Sequence, residues 1–73
     1  MDAKAWIGSY ARELGTEPPT PAEFDAILDL AAVAAHSSQR MAAPVACWLG
    51  AHAGRSLDES LAAARRLAGE ETS

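Results

Sequence analysis

Apolar residues recur at helical spacing in four stretches of this chain, and polar or helix-breaking residues separate them. In the first stretch Ala3, Trp6, Tyr10 and Leu14 fall on one stripe, with Ile7 at its flank. Asp2 is placed to cap the amino end and Gly15 to stop the helix. The segment Thr16 to Pro21, TEPPTP, then forbids helix and forms a stiff linker. Thr20-Pro21-Ala22-Glu23 is a capping box with proline at the first helical position. Behind it Phe24, Ile27, Leu28, Ala31, Ala34 and Ala35 define the expected buried face of a second helix, and Asp25, Asp29, His36 and Arg40 lie on the side turned away. That helix is expected to fade between Ser37 and Gln39, where small polar side chains compete for backbone hydrogen bonds.

Pro44 is expected in the first turn of a third helix, where its missing N–H costs nothing. This helix runs to about Ala53, with Gly54 as its stop. Ser56-Leu57-Asp58-Glu59 is a second capping box, opening a fourth helix to about Ala68 before Gly69. Its apolar stripe is Leu57, Leu61, Ala64 and Ala68, joined by Leu67. Asp58 and Glu59 near its start and Arg65 and Arg66 near its end complement the helix dipole.

About a quarter of the residues are alanine, the strongest helix former, whereas β-branched and aromatic residues are scarce. The expectation is one all-α domain over residues 1–73, a compact bundle of four helices with short loops and a frayed tail at 70–73. A chain of this length buries only about 60–65% of the surface its unfolded form exposes. That leaves little room for an enclosed substrate cavity beside a core, which counts against an enzyme acting alone.

Net charge narrows the partners. Six basic and ten acidic residues give -4 at pH 7, a balance that opposes binding to phosphate backbones and to anionic membranes. A helix-turn-helix regulator is the weaker alternative, because a third helix reading PVACWLGAHAG offers almost nothing polar to a base edge. The amino terminus lacks the basic-then-apolar layout of a signal peptide. The longest apolar run, Met41 to Ala51, carries a proline and a glycine and falls short of the roughly 20 residues of a spanning helix. With a single cysteine no internal disulfide can form, and the chain is expected to be cytoplasmic.

Candidate chemistry gathers between Ala35 and Gly54, a segment that holds both histidines, Cys47 and Trp48. A zinc site from His36, Cys47 and His52 fails on spacing. Cys47 and His52 diverge by about 140° around a helix, and no close-spaced ligand pair exists. No metal and no cofactor is called for. Cys47, between Ala46 and Trp48, is expected to pack as a small hydrophobe rather than act as a nucleophile, and Trp48 is expected in the core. Gly50 and Gly54 form a small-x-x-x-small pattern, read as a tight helix crossing. His36 and Arg40 form an exposed polar corner that can serve a partner or an anion, since a guanidinium grips carboxylate or phosphate as a fork.

The run Ala35-His36, Arg40, Ala42-Ala43-Pro44-Val45, Leu49-Gly50 and Ala53-Gly54 resembles a small bacterial helical domain of unknown biochemical function. Trp6, Leu14-Gly15, Pro18-Pro19 and Ile27-Leu28-Asp29-Leu30 extend the resemblance over most of the chain. Gln39 stands where an acidic residue is expected, and Ala46-Cys47 where hydroxyl residues are. That family occurs alone or as the carboxy-terminal extension of proteins similar to molybdenum cofactor guanylyltransferases, whose glycine-rich nucleotide loop is absent here. The resemblance implies a helical fold, a pathway context and importance for His36, Arg40 and Pro44.

The expected function is therefore a non-catalytic accessory or protein-interaction domain linked to synthesis of the molybdenum cofactor, molybdopterin guanine dinucleotide. Its expected partner is a protein, with a nucleotidyltransferase of that synthesis as the candidate. The alternative from another class is a small domain that binds, or acts on, an anionic ligand through His36 and Arg40.

Overall fold

The computed structural model describes residues 2–69, so the expectation of a frayed tail at 70–73 lies outside it. Four α-helices follow in order: α1 (Ala3–Leu14), α2 (Pro21–Ser37), α3 (Ala42–His52) and α4 (Leu57–Ala68). No strand occurs among the described residues, and the all-α four-helix class holds. Local capping explains where each helix begins. Ala5 N–H donates to Asp2 Oδ1 at 2.8 Å. In α2 and α4 the boxes close in both directions, with Glu23 N–H donating to Thr20 Oγ1 and Glu59 N–H to Ser56 Oγ, each at 3.1 Å.

α3 starts differently. No side chain caps it, and the Gln39 and Arg40 carbonyls accept from Ala42 and Ala43 at 2.9 and 3.1 Å. Pro44, the third residue of the helix, has no N–H to satisfy. At its far end Gly54 adopts the left-handed conformation at φ 75°, and Arg55 N–H donates back to the Gly50 carbonyl at 3.1 Å. That bond pattern ends the helix within one turn.

α2 is the central element. It packs against both α3 and α4, whereas those two touch each other little. Two neighbours require two apolar faces, and the buried residues of α2 are Leu30 (2% exposed) and Val33, between the positions of the single expected stripe. Leu28, expected on that stripe, is instead exposed. Leu67 departs from its expected place too: at 90% exposure it stands out from α4 while Leu57, Leu61, Ala64 and Ala68 turn inward.

α1 stands apart from the other three. None of its Cα atoms lies within 8 Å of one in α2, α3 or α4. It leans on the linker and on the start of α2, where Lys4 Nζ sits 5.6 Å above the Phe24 ring. Ala11 is its one buried residue, while Trp6, Tyr10 and Leu14 face outward with the Trp6 and Tyr10 rings stacked at 5.2 Å. The molecule is accordingly elongated, 41 × 23 × 19 Å, with a radius of gyration of 13.0 Å against about 11 Å for a globule of this length.

Candidate functional site

Where α3 and α4 meet, Gly50 faces Ser60. A Cβ on Gly50 would collide with Ser60 Oγ and lie 3.1 Å from Ser60 Cβ. The expected tight crossing is therefore present at Gly50, whereas Gly54 has open space around it and serves the helix stop alone. Away from this contact the two helices leave a groove over α2. It consists of two adjoining concavities of about 540 and 340 Å³ that share Ala46, Leu49 and Ala64. Leu30 lies beneath the first, and Val33, Val45 and Leu67 line the second.

The groove is apolar along its length and polar at its rims. Val45, Leu49 and Leu67 are each more than half exposed. Arg55, Glu59 and Arg66 edge the end near Gly50, and Ser37 and Ser38 edge the other. His36 and Arg40 flank those two serines in the chain. α2 ends at Ser37, so Arg40 lies beyond the helix and does not share a helical face with His36. The Arg40 backbone closes the turn into α3, which leaves its side chain exposed. Neither side chain has a hydrogen-bonding or ionic partner among the described residues.

The remaining candidates separate. Trp48, expected in the core, is 61% exposed and stacks on His52 with ring centres 4.4 Å apart and planes 13° from parallel. No described helix covers the Trp48 face. Cys47 behaves as a small packing residue. Its Sγ approaches the Ile27 carbonyl at 4.0 Å, and burial pushes the thiol up from its ordinary value. That shift lowers the thiolate fraction, against what a nucleophile requires. His36, Cys47 and His52 do not converge, and no group of three or more His, Cys, Asp or Glu side chains suited to a metal occurs among the described residues.

One ionisable group at the groove is tuned by its fold. Glu59 accepts from the Ser56 backbone N–H at 2.9 Å, and this bond, with that to the Ser56 side chain, holds its carboxyl below the usual range. The cause is the capping box, so the shift follows from helix architecture rather than from chemistry at a substrate.

The groove itself was not among the sequence candidates. Val45 and Leu49, four apart on α3, and Leu67, beside the stripe of α4, were its available signal. No described helix is long and apolar enough to cross a membrane. Neither the curated proteins nor the solved structures yield a match to this chain. A family model described as a domain of unknown function, DUF6457, matches residues 1–73, and the chain belongs to that family.

Proposed function

We propose that this chain is a non-catalytic protein-interaction domain whose groove over α2 receives an apolar helix of a protein partner. The observation that carries it is the open groove walled by Val45, Leu49 and Leu67, three large apolar side chains more than half in water. An apolar centre with an arginine-bearing rim is the anatomy of an interface. Arg55 and Arg66 line that rim at one end, and His36 and Arg40 lie within two residues of its Ser37 and Ser38 edge in the chain.

The resemblance noted in the sequence extends the proposal to a partner and a compartment. The partner is a nucleotidyltransferase of molybdenum cofactor synthesis, and the domain works in the cytoplasm as its accessory. Co-expression with such an enzyme from the same genome, followed by capture on a tag, is the test. Leu67→Glu is expected to reduce capture at least tenfold by setting an unpaired charge into the apolar contact, and Arg40→Ala to do so as well, since a desolvated charged hydrogen bond contributes about 1.5–3 kcal/mol. Arg40→Ala should leave the melt within about 0.5 kcal/mol of the wild type, as surface substitutions do, and Leu67→Glu should stay folded by helical dichroism. Cys47→Ala should affect capture less. Equal capture by the wild type and Leu67→Glu overturns the groove as the docking site.

A further inference from the structure

We infer that, in the free protein, the groove is filled by α1 of a second copy of this chain, the two copies being related by a two-fold axis. The inference rests on the groove being a docking site for an apolar helix, and it names one occupant. Two unpartnered surfaces are present in one molecule: the outward stripe of Trp6, Tyr10 and Leu14 on α1, and the groove of Val45, Leu49 and Leu67. Trp6 is 55% exposed although it is among the largest apolar side chains of the chain. A twelve-residue helix is about 18 Å long, enough to span several turns of a groove between two helices.

α1 does not reach the groove of its own chain. It touches the amino-terminal end of α2 at Phe24, whereas the second concavity lies at Val33 to Ser38, about 13 Å further along that helix at its nearest. Pro18 and Pro19 stiffen the connection between α1 and α2. A two-fold axis across the middle of α2 sets the amino-terminal end of one copy over the carboxy-terminal half of the other, and does so twice. Such an isologous pair closes on itself and leaves no free end for a third copy.

Charge and area both favour this pairing. Residues 2–37 hold six carboxylates and two cations, whereas residues 38–69 hold four arginines and two carboxylates. Antiparallel copies therefore lay an acidic end on a basic end, with Glu13 and Glu17 beside the docked stripe and two arginines, Arg55 and Arg66, against the single carboxylate of Glu59 on the rim near it. The accessible surface is 5666 Å². A folded monomer of this mass exposes about 4,300 Å², so the excess is about 1,400 Å². A standard interface removes about 800 Å² from each partner.

The test is sedimentation equilibrium of the full chain, with helical dichroism confirming that each variant is folded. The wild type is expected as a dimer, and Tyr10→Glu and Leu67→Glu each as monomers. Each lesion breaks both halves of the symmetric pair. Mixing the two variants restores one intact half, the undamaged α1 of Leu67→Glu in the undamaged groove of Tyr10→Glu, so the mixture should associate where neither variant alone does. A monomeric wild type, a Leu67→Glu dimer, or a mixture that stays monomeric overturns the inference. The docking site itself is judged separately: a monomeric wild type that still captures the nucleotidyltransferase, and loses it on Leu67→Glu, removes the second copy and leaves the groove standing.

Discussion

Gly50 lies so close to Ser60 that a Cβ in its place would collide with Ser60 Oγ and press on Ser60 Cβ where α3 meets α4. The contact sits near the short connection between the two helices, and the groove opens beside it over α2. One small residue therefore sets both the helix crossing and the mouth of the groove. Gly50→Leu should destabilise the domain by about 1–3 kcal/mol through overpacking, which lowers the melting temperature by about 5–20 °C in a domain of this size. Replacing Ser60 by glycine in the same chain should recover part of that loss, because neighbouring sites couple. Thermal melts of the two single variants and the double variant check this, and strict additivity would show that the contact does not limit the crossing.

The capping box of α4 predicts how stability responds to acid. The Glu59 carboxyl is held below its ordinary range by the Ser56 hydrogen bonds, so its charged form favours the folded state. Its contribution is present in full above the ordinary carboxylate range and fades as pH falls through the lowered value in the fold. Glu59→Gln should melt below the wild type at neutral pH and converge on it in acid. Melts across that range check the sign, and a gap that widens on acidification contradicts it. Ser56→Ala should cost about 0.5–2 kcal/mol at neutral pH, the usual effect of losing an N-cap.

Cys47 gives a chemical readout of packing. Burial pushes its thiol up and its Sγ rests near the Ile27 carbonyl, so the folded chain holds less thiolate than the unfolded one at the same pH. Alkylation by iodoacetamide at neutral pH should therefore run severalfold slower in the native protein than in urea. A native rate equal to or above the unfolded one would mean that the thiol is open and activated.

Legibility from sequence follows the range of each interaction. The boxes Thr20–Glu23 and Ser56–Glu59 and the stop at Gly54 are set by residues within a few positions of one another, and the helices begin and end where those residues place them. Gly50 was legible for a similar reason, since a glycine inside a helix implies a close neighbour. Leu30 and Val33 were not. Their burial depends on α2 being covered on two sides, a fact of topology that one amphipathic stripe does not carry. Trp6, Trp48 and Leu67 show the converse, because an apolar side chain on a helix states that it gains from cover without stating that the same chain supplies it. His36 and Arg40 were legible as exposed from their polar setting, but the groove was not, because it arises from how α3 and α4 together sit on α2.

The separation of α1 from the other helices leads to the last prediction. None of its Cα atoms comes within 8 Å of theirs, and α1 meets them at the start of α2, where Lys4 covers Phe24 and Ile7 and Gly8 line a hollow with Pro21 and Phe24. The interior built on Leu30 and Val33 lies among α2, α3 and α4. A chain beginning at Pro18 keeps Thr20 and its capping box, and so keeps the signal that starts α2. Such a chain should retain helical dichroism and unfold cooperatively. Against the full-length Tyr10→Glu variant, in which exchange of α1 between copies is already blocked, its melting temperature should fall by no more than about 8 °C, the equivalent of about 1 kcal/mol. The larger exposure of Phe24 accounts for a loss of that order. If the shortened chain is unfolded while Tyr10→Glu melts normally, α1 stabilises the interior directly, and the three-helix unit does not stand by itself.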